Sequence, residues 1–131
     1  MEDTVSMLTL DLPTTPYWID LPRGVRVEVK PVTTAIMAAA QAAAARRLSA
    51  LREAEPELDP DLAKGLAFAL LCKGLARHSI VAWEGIGDAK GDPLPLTPEA
   101  AERLMDLDDM ASSFWDAISR PLASVAAEGN V

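Results

Sequence analysis

The sequence predicts a mainly α domain with a small β element: an α+β fold with four-helix-type packing, an N-terminal β-hairpin and a short β-turn-β. Three observations carry this prediction. Twenty-three of the 131 residues are alanine, the strongest helix former, and aromatics make up only 5%. A threonine or aspartate precedes each of three long or proline-led runs in the manner of a helix start. Residues 25–30 alternate strictly between valine and charge, which is the period of a half-buried strand.

The elements follow in order. Residues 1–16 hold Thr, Ser, Asp and two prolines and are expected to be a flexible arm, with a short extended stretch at 8–12. Tyr17-Trp18-Ile19-Asp20-Leu21 and residues 25–30 flank Pro22-Arg23-Gly24, and two such runs around a turn make a β-hairpin. Val25, Val27 and Val29 face one way, and Arg26, Glu28 and Lys30 the other. Thr33 or Thr34 then caps a helix over residues 35–52. Ile36, Ala40, Ala44, Leu48 and Leu51 form its narrow apolar stripe, while Arg46, Arg47 and Arg52 complement the dipole near its C-terminal end. Asp59 as N-cap and Pro60 at the first helical position start a second helix, to about Arg77. It is apolar nearly all round at residues 67–72, the mark of a central helix buried on several sides. Gly65 and Gly74 inside it cost about 1 kcal/mol each against alanine, so both are expected at close helix contacts.

Residues 80–86 are β-branched and aromatic and read as a strand, followed by a tight turn at 87–92 and an extended stretch at 93–96. Thr97-Pro98-Glu99 opens a third helix to about Leu107, and Asp108 or Asp109 caps a fourth, which Pro121 should kink or end. The predicted organisation is an arm at 1–16, one α-rich domain at 17–125 and a tail at 126–131.

Charge narrows the function. Twenty acids against twelve bases give a net charge of −8 and a pI near 4.5. Nucleic-acid binding calls for a basic footprint, and this balance has the opposite sign. No apolar run reaches the roughly 18 residues of a membrane helix, and the acidic Met1-Glu2-Asp3 start is unlike a signal peptide. The expectation is a cytoplasmic protein that binds neither nucleic acid nor membrane. The charge is also uneven: residues 17–78 carry nine bases against seven acids, and residues 79–116 nine acids against two bases. An acidic second part of this kind is either an ordinary solvated surface or a docking face for a basic partner or for another copy of the chain head to tail.

Catalytic constellations are weak. The lone His78 ends the second helix, where it suits the dipole, and the adjacent Ser79 points elsewhere on any regular element. Cys72, the single cysteine, sits in the apolar run as a buried thiol and precludes an internal disulfide. Glu84, Asp88 and Asp92 near Gly91 evoke a calcium loop, but Lys90 would put a positive charge in the cage. Trp83 and Trp115 are expected to supply core bulk, whereas Tyr17 and Trp18, on a short hairpin, have the amphipathic character frequent at interfaces. The expectation is a protein with no catalysis, no cofactor and no metal.

Residues 80–99 carry a resemblance. Trp83-Glu84-Gly85 on a strand, the turn Asp88-Ala89-Lys90-Gly91, the link Pro95-Leu96-Thr97 to a helix, and then a further helix bearing an aromatic such as Phe114 or Trp115 resemble small tail proteins of long-tailed phages and phage-like particles, the tail assembly chaperones. The resemblance spans roughly residues 17–120, with its specific part in about twenty residues. It implies a chaperone in the bacterial host cell that binds the tape-measure protein and keeps it soluble until the tail-tube protein polymerises. The alternative is a structural head–tail connector or minor tail protein retained in the particle. Residues expected to touch a partner are Tyr17 and Trp18, then Ile36, Met37 and Leu48 on the alanine-rich helix, and the acidic edge Asp106, Asp108 and Asp109.

Overall fold

The computed structural model describes residue 10 and residues 12–123. In chain order the elements are β1 (Tyr17–Asp20), β2 (Arg26–Val29), α1 (Thr34–Ala54), α2 (Pro60–Ser79), β3 (Ile80–Glu84), α3 (Pro98–Leu104) and α4 (Asp108–Ala123). This is the α+β arrangement that the sequence predicts, with four helices and a three-stranded antiparallel sheet of order β1-β2-β3. Most of the expected arm and all of the expected tail lie outside the described residues; residues 12–16 form neither helix nor strand.

The valine alternation decides the hairpin. Val25, Val27 and Val29 are all buried, and Arg26 faces out. Between the strands, Pro22–Gly24 makes a single 3-10 turn, closed by the Leu21 N–H donating to the Val25 carbonyl at 2.8 Å. Arg23 takes a left-handed φ of 63°, uncommon for a residue with a Cβ. Its guanidinium forms a two-pronged pair with Asp109 at 3.0 and 3.1 Å. Both side chains are well exposed, so the pair contributes at most about 1 kcal/mol.

Thr33 caps α1, its Oγ1 accepting from the Ile36 N–H at 3.2 Å, and Asp59 caps α2 in the same way through Leu62 at 3.1 Å. The stripe of α1 meets α2 as expected, with Ala40 and Ala44 buried. The two glycines of α2 then part company. A Cβ on Gly74 would sit 3.2 Å from Ala40 Cβ and 3.3 Å from its Cα, so this glycine does mark a close helix crossing. A Cβ on Gly65 would meet nothing within 4 Å, which corrects the expectation of a contact there. Gly65→Ala is therefore expected to stabilise the protein by roughly 0.5–1 kcal/mol, by restoring helix propensity at no steric cost. A thermal melt should show a Tm rise of roughly 2–5 °C.

At the end of α2 the chain turns straight into β3. The Lys30 N–H donates to the Ser79 carbonyl at 2.8 Å, and the buried Ser79 hydroxyl bonds back to the Leu75 carbonyl. β3 pairs with β2, with a register irregularity between Glu28 and Val29. The expected β-turn-β is thus β3 plus a loop whose return limb makes one bridge, Gly87 to Pro93, rather than a second strand. Asp88 Oδ1 accepts from the Lys90 and Asp92 N–H groups, so this carboxylate serves a plain turn.

Thr97 caps α3 through the Ala100 N–H. The helix ends at Leu104, short of the expected 107, because a turn at Met105 buries that side chain to 2% exposure. Asp108 and Asp109 stand in the first turn of α4 rather than before it, and α4 continues two residues past Pro121. The core lies where α2, α4 and the inner face of the sheet meet, around Phe114, Leu75, Met110, Val27 and Val29.

Candidate interaction surfaces

The residues expected to touch a partner fall into separate surroundings. Tyr17, Ile36 and Met37 are half-buried and pack against the core cluster. Tyr17 also lines a cavity of about 310 Å³ with Leu12, Val32, Thr33 and Ile118, and burial pushes its phenol above its ordinary value. Leu48 lines a shallow groove of about 270 Å³ between α1 and α2, with Gln41, Ala45, Ala67 and Leu71.

Trp18 stands on the outer face of the sheet, 38% exposed. The Arg26 guanidinium lies 4.9 Å from its ring centroid, a cation–π distance. That guanidinium is also bonded to Asp20 at 2.9 Å and Glu84 at 3.1 Å. Register explains the group: Asp20 is opposite Arg26, and Arg26 is opposite Glu84. The outer face of the sheet therefore carries one guanidinium held between two carboxylates, with an indole against it.

On the acidic edge, Asp106 pairs with Lys73 at 2.8 Å and Asp109 with Arg23. Asp108 is exposed and forms no ion pair among the described residues. Glu102 receives both Arg47 and Arg77 at 3.2 Å, one carboxylate tying α1, α2 and α3 together. Several bases of the first part of the chain are thus matched by acids of the second, so part of the sequence-level charge polarity is consumed inside the fold.

Sequence reasoning missed one apolar feature. Phe68 of α2 packs edge-to-face on Trp115 of α4, with ring centroids 6.2 Å apart and planes at 78°, yet remains 39% exposed. The apolar run around Phe68 predicts a central helix buried on several sides. The second half of α2 has that environment, with Cys72, Leu75 and Ala76 each 0% exposed, but the first half does not. Leu62 in that half is 54% exposed. Trp83 is half-buried, its indole N–H donating to the Leu94 carbonyl at 2.9 Å.

The reactive side chains do not assemble. His78 is exposed in the last turn of α2, and its neighbour Ser79 is buried and bonded to backbone. Cys72 is fully buried, and burial raises its thiol from an ordinary 9.0 to about 11. Native Cys72 is expected to react with a thiol reagent at mildly alkaline pH at least about 100-fold more slowly than the unfolded chain, measured by labelling with and without denaturant. The linked effect on stability has a definite sign. Between 9.0 and about 11 the unfolded thiol has lost a proton that the folded one keeps, so stability falls as pH rises through that window. Among the described residues no group of three His, Cys, Asp or Glu side chains could hold a metal ion, and no helix is long and apolar enough to cross a membrane.

Comparison with known proteins yields one finding. The family model of the YdaY prophage protein matches residues 30–130. No curated protein and no solved structure matches. The match starts just after β2 and takes in β3 and all four helices, so it covers the helical body that carries Phe68 and Trp115. On that match the chain belongs to the YdaY prophage protein family and is of phage origin.

Proposed function

We propose that this chain is a non-catalytic tail assembly chaperone, acting in the cytoplasm of the bacterial host. In this reading it holds the tape-measure protein in solution until the tail-tube protein polymerises around it. The observation that carries the reading is membership of a prophage family by a chain that leaves Phe68 exposed on a helical surface, packed on a half-buried Trp115. Half-exposed aromatic rings suit the capture of apolar helix faces. A net charge of −8 keeps such a complex soluble. The resemblance of residues 80–99 to tail assembly chaperones points the same way.

The test is co-expression with the tape-measure protein of the same prophage. The soluble yield of that long chain should rise several-fold, and purified particles should lack the chaperone. No rise in yield removes the reading. Finding the chain at fixed stoichiometry in mature particles replaces it with the connector reading.

A further inference from the structure

Two surfaces of the molecule are short of the groups that ordinarily keep a helix in water. The first is the outer side of α1. Ala35, Ala38 and Ala42 are all exposed, and residues 34–45 contain no charged side chain. Alanine favours the helix, but Lys, Glu or Arg would favour it almost as well and would solvate it. Arg46 and Arg52 flank the C-terminal end of this side, exposed and without an ion pair among the described residues.

The second surface is built on the Phe68–Trp115 pair. Gly65, three residues before Phe68, has open space where a side chain would stand, so the phenyl ring is left uncovered along its own helix. Asp61 stands seven residues before Phe68 and Asp108 seven before Trp115, on the same sides of their helices as the rings. Both are exposed and form no ion pair among the described residues. Lys64 is the base at this edge.

The two surfaces are complementary. One offers the exposed Phe68 ring set on the half-buried Trp115 indole, with carboxylates beside them, and the other a small-residue side with guanidiniums at its end. One copy cannot bring them together, since the alanine side of α1 faces away from the buried Ala40–Gly74 crossing with α2, and Phe68 is packed on α4. We infer that the chain associates head to tail with a second copy of itself: the Phe68–Trp115 pair of one copy seats on the alanine side of α1 of the next, with Asp61 and Asp108 facing Arg46 and Arg52. Alanine methyls let the rings approach the helix backbone, and aromatics and arginine are the side chains enriched at protein interfaces. Such a contact uses two different surfaces, so each added copy leaves one of each free, and the product is a ring or an open row. The inference does not depend on the chaperone reading, because it concerns the isolated chain.

Sedimentation velocity of the full chain, from micromolar to near-millimolar concentration, tests it. The average mass should rise with concentration and fall with added salt. Phe68→Ser and Ala42→Glu each block one surface at an exposed position, and each should weaken association by at least roughly tenfold, with an unchanged circular dichroism spectrum. Mixed together, the two variants should form a one-to-one dimer through the remaining intact pair of surfaces. Asp108→Lys should weaken association, and combining it with Arg46→Glu should restore it. A single species at the monomer mass throughout overturns the inference. So does association that both variants leave unchanged, or a failure of the mixed variants to pair, which would mean a symmetric dimer through one surface.

Discussion

Phe114→Ala is expected to remove about 3–5 kcal/mol of stability. Phe114 is 0% exposed and belongs to the core cluster formed by α2, α4 and the valines of β2. Truncation removes the transfer free energy of the ring and leaves a void that can close only partly, because its surroundings belong to three different elements. A domain of this size has roughly 5–15 kcal/mol in total, so the variant approaches the unfolding threshold at 37 °C. Urea denaturation should show a midpoint displaced far to lower concentration with an unchanged slope. A loss below about 1 kcal/mol would mean that α4 is not the keystone of this core.

Gly85→Ala is the second large effect, and its cause lies in the backbone. Gly85 has a φ of 86°, and a Cβ there would lie 2.4 Å from the Gly24 carbonyl oxygen and 3.2 Å from Val25 Cα. The left-handed conformation alone costs an alanine about 1–2 kcal/mol. The collision is with main chain of the hairpin turn, which no rotamer change relieves, so the total is expected to exceed about 2 kcal/mol. Gly91→Ala is the internal control. It shares the left-handed φ, at 85°, but has nothing within 4 Å, so it should cost only the conformational part, about 1–2 kcal/mol. Equal losses in the two variants, read from the same urea titrations, would show that the contact between β3 and the hairpin turn yields easily.

The features legible in the sequence were those set by neighbours along the chain. Thr33, Asp59 and Thr97 sit at the caps the sequence assigned them, because a cap needs only its own side chain and an N–H three residues on. The valine alternation of β2 was legible for the same reason. Partners set by distant segments were not. That β3 would pair with β2, rather than with its own return limb, depends on α2 delivering it to the hairpin. The Arg23–Asp109 pair joins residues 86 apart in sequence. Phe68 misled the reading because an apolar run reports what a helix can bury and not where its neighbours stop. Of the residues expected to meet a partner, Tyr17, Ile36 and Met37 turn inward because the ends of the hairpin and of α1 close over the same core.

The passage from α2 directly into β3 orders events during synthesis. A two-stranded ribbon is marginal in water, so β1 and β2 lack a durable sheet until their third strand arrives. That strand ends at Glu84 and can reach β2 only after both long helices have been made and folded back. The hairpin, although it is made before both long helices, is therefore among the last elements to be secured. A nascent chain stalled before Glu84 would present the valine side of its hairpin uncovered.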